Sequence, residues 1–288
     1  MAQVKHHLPT AVTGASGGQG GATARALLRA DEPVRALTRN PAALDELRDL
    51  GAEVVYADLG DPASVRTALA GTRALFAVTT PFGTNADTET RQGIALLDTA
   101  AVTPGLDHVV FTSAINADRA TGIPHFDSKY VIEEHLRSLG LPWTVIAPAV
   151  FMDNYTSARA LQSLREGKLR LPLPAGTPLP LISNADVGAF AALALRRPAE
   201  FTGRRIDIAA DELTPAQIAA AITTAVGAPI EFEEVPLAET YSADVAAMFR
   251  HFAEVGLDID IAGLRRDYPH VGWQRFADWS ARQQWDLR

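Results

Sequence analysis

The stretch Thr13-Gly14-Ala15-Ser16-Gly17-Gly18-Gln19-Gly20-Gly21 decides the fold of this chain. It follows a short apolar run from Thr10 to Val12, and it precedes a run with helical character from Ala22 to Leu28. A strand, a tight glycine turn and a helix are therefore predicted in that order.

Three glycines of this stretch have the spacing G-x-x-G-x-x-G. In such a turn Gly14 allows the sharp bend, Gly17 lets a pyrophosphate approach the backbone, and Gly20 lets helix and strand pack closely. The N–H groups at the start of the helix then face an anion. The pattern indicates a bound dinucleotide, and the alternative is an ordinary glycine loop.

Composition limits the classes of protein that fit. The 288 residues are 47% hydrophobic, which suits one large domain or a core domain with a smaller one. The net charge of −8 disfavours a large nucleic-acid-binding surface. No apolar run is long enough for a transmembrane helix, and Met1 to Leu8 do not resemble a signal peptide.

Cysteine is absent from the chain. Disulfides, thiolate catalysis and cysteine-ligated metal are therefore excluded, and a cytoplasmic location is expected. No metal site is predicted.

The first half of the chain alternates β-like and helical runs. Strands are predicted at residues 11–13, 34–38, 53–56, 74–78, 108–111 and 143–146, with helices at 18–30, 41–50, 62–69, 127–139 and one ending near 101. This alternation predicts an α/β fold, a Rossmann doubly wound parallel sheet with helices on both faces.

The rhythm changes after Pro148. Prolines within 171–174 and 178–181 are expected to exclude a central strand there. Helices are predicted from 184 to 195 and 214 to 226, with an outer strand of the main sheet at 204–208. Residues 230–235 are β-like, residues 237–255 mostly helical, and Trp273, Phe276 and Trp279 form an aromatic stripe interpreted as core packing.

These patterns divide the chain into two domains. Residues 1–150, with 184–210 returning to them, are predicted to form the cofactor-binding Rossmann domain. Residues 151–183 and 211–288 are predicted to form a smaller, mainly helical substrate domain.

The end of the second strand indicates which dinucleotide binds. Enzymes that prefer NAD usually place a carboxylate there to bond the ribose 2′-OH. This chain reads Leu37-Thr38-Arg39-Asn40 instead, and a guanidinium suits a 2′-phosphate. The cofactor prediction is therefore NADP(H), with a solvated surface arginine as the alternative.

Two further strand ends are predicted to contact the cofactor, because ligands bind beyond the carboxyl ends of the strands. Asp58-Leu59 follows the third strand, beside the adenine, and Thr79-Thr80 follows the fourth, near ribose and pyrophosphate. Equally, either pair could be ordinary loop residues without any contact to a cofactor.

Several segments resemble the NmrA-like branch of the atypical short-chain dehydrogenases. They are GASGGQGG (14–21), VRALTRNP (34–41), ADL (57–59), HFDSKYVIEEHLRSLGLPWTVIAPAVFMDNY (125–155) and AAMFRHFA (246–253). The resemblance implies a Rossmann domain and a small C-terminal domain with a cleft between them. It also implies NADP(H) contacts at Gly14, Ser16, Gly17, Gln19, Gly20 and Arg39, with Lys129 at the nicotinamide ribose and Pro148 to Phe151 against the nicotinamide.

The catalytic pattern of the wider superfamily is incomplete here. That superfamily uses Tyr-x-x-x-Lys, in which the tyrosine relays a proton, whereas this chain has His125 and Lys129. His125 could donate a proton near neutral pH, or it could be only a polar residue at a helix start. Ser113 matches the superfamily's catalytic serine, and it polarises a substrate carbonyl or only bonds the backbone.

Three functions follow as hypotheses. The first is an NADP(H)-binding redox sensor with little or no turnover, which acts on a regulated protein partner. The second is an NADPH-dependent oxidoreductase that reduces a quinone, enone, imine or carbonyl, with His125, Tyr155 or Tyr241 as the acid. The third, a DNA-binding regulator, is disfavoured by the charge. No nucleic acid or membrane partner is expected, and a homodimer is possible in either leading case.

Overall fold

The computed structural model describes residues 8–287. The prediction that Met1 to Leu8 do not form a signal peptide therefore falls almost entirely outside the described residues. The chain forms two compact units. The first contains the residues up to Ala120 together with Pro124–Ala147 and Val187–Ile206. The second contains Thr121–Ile123, Pro148–Asp186 and the residues from Asp207 onward.

The strands and helices are numbered in chain order. The strands are β1 Thr10–Val12, β2 Val34–Thr38, β3 Glu53–Tyr56, β4 Ala74–Ala77, β5 His108–Thr112, β6 Trp143–Pro148, β7 Val150–Phe151, β8 Lys168–Leu171, β9 Leu179–Ile182, β10 Arg204–Ile208, β11 Asp211–Leu213 and β12 Glu231–Glu234. The helices are α1 Gly18–Arg29, α2 Asp45–Asp49, α3 Pro62–Leu69, α4 Ala86–Ala101, α5 Pro124–Ser138, α6 Ala158–Arg165, α7 Asn184–Arg196, α8 Pro198–Phe201, α9 Pro215–Val226, α10 Ala243–Glu254, α11 Ile261–Asp267 and α12 Phe276–Ser280.

The main sheet has seven strands in the order β10-β6-β5-β4-β1-β2-β3. β1 pairs in parallel with both β2 and β4, with Thr10 opposite Val34 on one side and Ala74 on the other. From β1 the chain adds β2 and β3 on one side of the sheet, and it then returns to add β4, β5 and β6 on the other side. The carboxyl end of β1 is therefore the topological switch point. The predicted Rossmann doubly wound sheet is confirmed, and β10 is its outer strand as expected.

The sheet is covered by a continuous apolar core. β4 is buried along its whole length, and Phe76 and Phe111 are fully buried, as expected of parallel strands with helices on both faces. Gly93 lets α4 and α5 come close, since a Cβ at this position would lie 2.4 Å from Ile132 Cδ1. These two helices therefore pack tightly, and both carry residues of the candidate site.

Two helices differ from the predicted bounds. α5 begins at Pro124, three residues earlier than the predicted start, because a proline in the first turn needs no N–H partner. The helix predicted from residue 41 to 50 has a 3-10 turn at Pro41–Leu44 before α2. Such turns are frequent at helix termini.

The second unit corrects the prediction that prolines exclude a central strand. β9 contains Pro180 and is the middle strand of a small sheet ordered β11-β9-β7. Pro180 lies opposite Glu212 of β11, whereas β7 pairs only with Leu181 and Ile182. The lack of a backbone N–H on Pro180 therefore removes no hydrogen bond between β9 and β7. A second small sheet pairs β8 with β12, and helices predominate over strands in the rest of the unit.

The aromatic stripe near the C-terminus is core, as predicted. Trp273, Phe276 and Trp279 are all buried, and the Phe276 and Trp279 ring centroids are 5.4 Å apart. Trp273 precedes α12, so only the other two share a helix. Among residues 8–287, no helix has both the length and the apolar character needed to cross a membrane.

His108 is a core histidine of β5. Thr144 Oγ1 donates to the carbonyl of Phe201, so His108 Nε2 must donate to Thr144 Oγ1, 3.0 Å away. The other ring nitrogen has no hydrogen-bond partner among the described residues. Burial lowers the pKa of His108 to about 4, and the ring is therefore neutral at pH 7.

We expect this histidine to make the fold acid-labile. Its stabilisation is fully present above the unfolded pKa near 6.5 and is lost as the pH falls from there towards 4, by up to ~3 kcal/mol. His108→Gln, which keeps an N–H donor for Thr144, should flatten this pH dependence. Urea denaturation of both proteins from pH 7 to pH 4 measures it, and parallel curves would contradict the prediction.

Candidate functional site

The glycine turn after β1 has the geometry that the spacing predicts. Gly14 has φ +59°, a conformation that favours glycine. A Cβ at Gly20 would lie 2.3 Å from the carbonyl oxygen of Gly14 and 2.4 Å from that of Thr13. Thr13 Oγ1 also accepts a bond from the backbone N–H of Val78, 2.7 Å away. The turn is therefore packed against both α1 and the end of β4.

The start of α1 is open to an anion. Gly17 is the N-cap residue, makes no side-chain cap, and is exposed, and the first turn contains no acidic residue. The N–H groups of such a helix start attract negative charge. Gln19 is held beside this turn, because its Oε1 accepts a bond of 2.6 Å from Thr112 Oγ1 at the end of β5.

The two residues directly after β2, Arg39 and Asn40, are not carboxylates. Arg39 is exposed and forms no ion pair with any residue between 8 and 287, whereas Arg35 bonds Glu53 at 2.8 Å. Thr38 Oγ1 lies 3.5 Å from Ser16 Oγ, which brings the glycine turn and the end of β2 together. Arg39 is thus the cation next to the glycine turn that is not engaged by an acid.

The other predicted cofactor contacts in this unit have structural partners. Asp58 Oδ1 accepts the N–H of Gly60 at 2.9 Å, and Leu59 packs against the apolar core. Thr80 is exposed, and its Oγ1 accepts the N–H of Phe82 at 3.2 Å. These hydrogen bonds are local and stabilise the loops in which they occur. Contact of these residues with a cofactor stays a prediction.

Lys129 lies in a buried polar network that the sequence did not reveal. Its Nζ is 2.7 Å from Glu89 Oε1, 2.6 Å from the carbonyl oxygen of Thr79 and 3.0 Å from Thr79 Oγ1. Glu89 is fully buried in α4, and its Oε2 accepts a bond of 2.6 Å from Ser128 Oγ. Each of the three ammonium protons has an acceptor within this network.

The network joins three elements of the first unit. It fixes the segment after β4 at Thr79, the first turn of α4 at Glu89 and the α5 face that carries Lys129. Burial lowers the pKa of Lys129, and the charge and hydrogen bond of Glu89 oppose that shift. Glu89 therefore counteracts the effect of burial on this lysine, whose ammonium group is bonded to protein partners.

His125 lies on the same helix as Lys129, four residues earlier, as the spacing predicts once α5 begins at Pro124. Its half-buried ring lies 6.3 Å from the Phe82 ring and 4.8 Å from the Phe126 ring, centroid to centroid. Tyr130 takes a different direction, with its ring 5.9 Å from the guanidinium of Arg137. The match of His125 to the tyrosine of Tyr-x-x-x-Lys stays a prediction.

Ser113 is buried beside a second charged cluster. Glu133 is fully buried and accepts bonds from Arg205 Nε at 3.1 Å and from Arg137 Nη2 at 3.0 Å. Burial raises the pKa of Glu133, and the guanidinium groups of Arg205 and Arg137 partly oppose that rise. Arg205 also donates to the carbonyl of Ala114 at 3.0 Å, so this cluster holds the segment that follows β5.

Sequence reasoning missed both buried glutamates. Neither glutamate carries a local signal of burial, because acidic residues are common on the exposed faces of helices. In the second unit, Phe151 of β7 is opposite Ile182, and Pro148 is buried. Tyr155 is buried against Phe276, and burial raises its pKa, which disfavours it as an acid; Tyr241 is exposed.

No group of acidic or histidine side chains that could hold a metal occurs within the part of the chain that the structure describes.

The fold and the glycine turn define a Rossmann-type protein. The model of the NmrA-like family matches residues 9–266, so the chain belongs to the NmrA-like family. Its proposed His-x-x-x-Lys branch stays a prediction.

Similar proteins include reductases and a regulator. Over 235 residues, this chain is 30% identical to the NAD(P)H azoreductase of Xenophilus azovorans. The match covers 81% of this chain and 79% of that protein. The structure of Citrobacter sp. triphenylmethane reductase complexed with NADP(H) matches with a TM-score of 0.81 at 19% identity, over 96% of this chain and 99% of that one. The structure of NmrA, a negative transcriptional regulator, in complex with NADP matches with a TM-score of 0.79 at 19% identity. This match covers 96% of this chain and 95% of that one. At these identities the two structural matches show the fold alone.

Proposed function

We propose that this protein binds NADP(H) and acts as an NADPH-dependent reductase of conjugated small molecules whose reduction needs no strong acid from the protein. Three features of the first unit support the cofactor. They are the positive φ of Gly14, the uncapped start of α1, and the exposed Arg39 without a neighbouring acid. A guanidinium binds a 2′-phosphate well, and a carboxylate at that place would repel it.

The substrate class rests on the Thr79-Lys129-Glu89-Ser128 network. The cofactor supplies the hydride, so the protein must mainly bind and orient the acceptor. A tyrosine relay is missing, and the lysine that would support it is bonded to Glu89 and Thr79. A quinone accepts hydride to give a weakly basic hydroquinone anion, whereas an azo or imine group also takes up a proton at nitrogen, which solvent water would supply. The name of the azoreductase relative agrees with this class.

A redox sensor is the second candidate function, and the same network favours it. On this alternative, Lys129 is held by Glu89 and Thr79, no other acid replaces the missing relay, and bound NADPH is not turned over. The fold itself is compatible with this alternative, since the negative transcriptional regulator NmrA shares it. Cofactor binding would then shift the population of a surface that a protein partner recognises.

A turnover measurement separates the two functions. NADPH absorbance is followed with the purified protein and menadione, an azo dye, or an aliphatic ketone as acceptor. The reductase predicts turnover with the two conjugated acceptors and little with the ketone. Tight NADPH binding without turnover on any acceptor would favour the sensor. If His125→Ala leaves the rate unchanged, His125 takes no part as an acid.

Arg39→Ala tests the choice of cofactor. We expect NADPH affinity to fall by roughly 10- to 100-fold, because charge-assisted bonds to the 2′-phosphate are lost. NADH affinity should change less than about twofold, since NADH lacks that phosphate. Calorimetric titration of both cofactors measures the effect, with Arg66→Ala on α3 as the matched control. Equal losses for NADPH and NADH would contradict the role of Arg39.

A further inference from the structure

We propose that Phe82 and His125 form an aromatic platform on which the planar ring of a conjugated acceptor, a quinone or an azo compound, stacks. This inference rests on the proposed function, because it names the substrate class of the same site. Both residues belong to the first unit.

The exposure of Phe82 is the first observation. Its side chain is 65% exposed, whereas Phe76, Phe111, Phe190, Phe201 and Phe276 are fully buried. Exposing a phenyl ring to water is unfavourable, but a single exposed apolar side chain is common on protein surfaces, so the exposure of Phe82 gains meaning only from the ring beside it. Phe82 therefore does not serve the core of this unit.

The loop between β4 and α4 presents this ring through its own hydrogen bonds. The N–H of Phe82 donates to Thr80 Oγ1 at 3.2 Å, and the N–H of Thr84 donates to the carbonyl of Pro81 at 2.9 Å. Gly83 completes the turn with φ +86°. The outward position of the phenyl ring thus follows from the turn.

A second ring lies beside it. The half-buried His125 ring is 6.3 Å from the Phe82 ring, and the two planes are tilted by 46°. His125 comes from α5, so two separate elements contribute one ring each. Lys129 of α5 bonds Thr79, three residues before Phe82, and this bond fixes the two elements to each other.

The position of the platform fits a substrate. Phe82 follows β4, the strand next to β1, at the carboxyl edge where ligands bind in doubly wound sheets. Rings favour offset or tilted contacts with planar conjugated molecules over a direct face-to-face arrangement. The missing proton relay independently selects conjugated acceptors. Both observations therefore point to one substrate class.

The test measures menadione binding to the full-length protein saturated with NADP⁺, by calorimetry, so it does not depend on turnover. Phe82→Ala should weaken menadione binding by about five- to tenfold. Phe82→Trp should restore it, and Phe82→Leu should not. Val102→Ala removes another exposed apolar side chain at the far end of α4 and should have no effect. NADP⁺ affinity should be the same in all five proteins.

Equal menadione affinity in the wild type and Phe82→Ala would overturn the platform, and so would a wild type that binds NADP⁺ but no menadione. A concentration-dependent dimer abolished by Phe82→Ala, without menadione binding, would also overturn it by assigning the ring to self-association. A wild type that binds no NADP⁺ defeats the proposed function instead. In that case, loss of menadione binding in Phe82→Ala would still support an aromatic site.

Discussion

Replacing Lys129 by methionine is expected to lower the free energy of unfolding by about 3–5 kcal/mol, because it leaves a buried carboxylate without its partner. Glu89 is fully buried, and Lys129 is its counter-ion at 2.7 Å. Thr79 and Ser128 remain as hydrogen-bond donors, but neither carries charge. Urea denaturation at pH 7 measures the loss.

The double variant Glu89→Gln, Lys129→Met isolates the cause. It removes the buried charge along with its partner, so it should be more stable than Lys129→Met alone. Lys168→Met is the matched control, since Lys168 pairs with Glu231 at 2.6 Å on the surface, and its loss should matter far less. If Lys129→Met and Lys168→Met destabilise the protein equally, the network does not hold the site together.

Gly20→Ala is expected to abolish most cofactor binding and to destabilise the fold. The added Cβ would lie 2.3 Å from the carbonyl oxygen of Gly14, so the backbone of α1 or the turn must move. We expect NADPH affinity to fall on the order of 100-fold, or ~3 kcal/mol, and the free energy of unfolding to fall by about 1–3 kcal/mol. Calorimetry and urea denaturation measure the two effects.

Two other glycines provide a graded comparison. A Cβ at Gly17 would be 3.3 Å from the Gly14 oxygen, so Gly17→Ala should have a smaller effect on stability. A Cβ at Gly176 meets nothing within 4 Å, so Gly176→Ala should leave both NADPH binding and stability unchanged. A Gly20→Ala protein that binds NADPH normally would show that close packing of the turn is not required.

The fold was predictable where local patterns agree with each other. The glycine turn, the apolar strands and the caps before α3 and α9 all occur within short stretches, and the sheet follows from their alternation. Pro180 shows the limit of this reasoning. A proline excludes a strand only where its N–H is needed, and that depends on how far the neighbouring β7 extends.

The site was predictable only in part, because it depends on pairings between distant residues. The spacing of Gly14, Gly17 and Gly20 is local, whereas Lys129 meets Thr79 fifty residues earlier in the chain. Glu89 looks like any acid in a first helical turn. The exposure of Phe82 depends on the turn that carries it.

NADP(H) binding is the central claim, and calorimetric titration of the wild-type protein with NADPH and with NADH tests it most directly. We predict that NADPH binds with 1:1 stoichiometry and at least about tenfold more tightly than NADH, because Arg39 recognises the 2′-phosphate. Binding of neither cofactor, or equal affinity for both, would contradict the account.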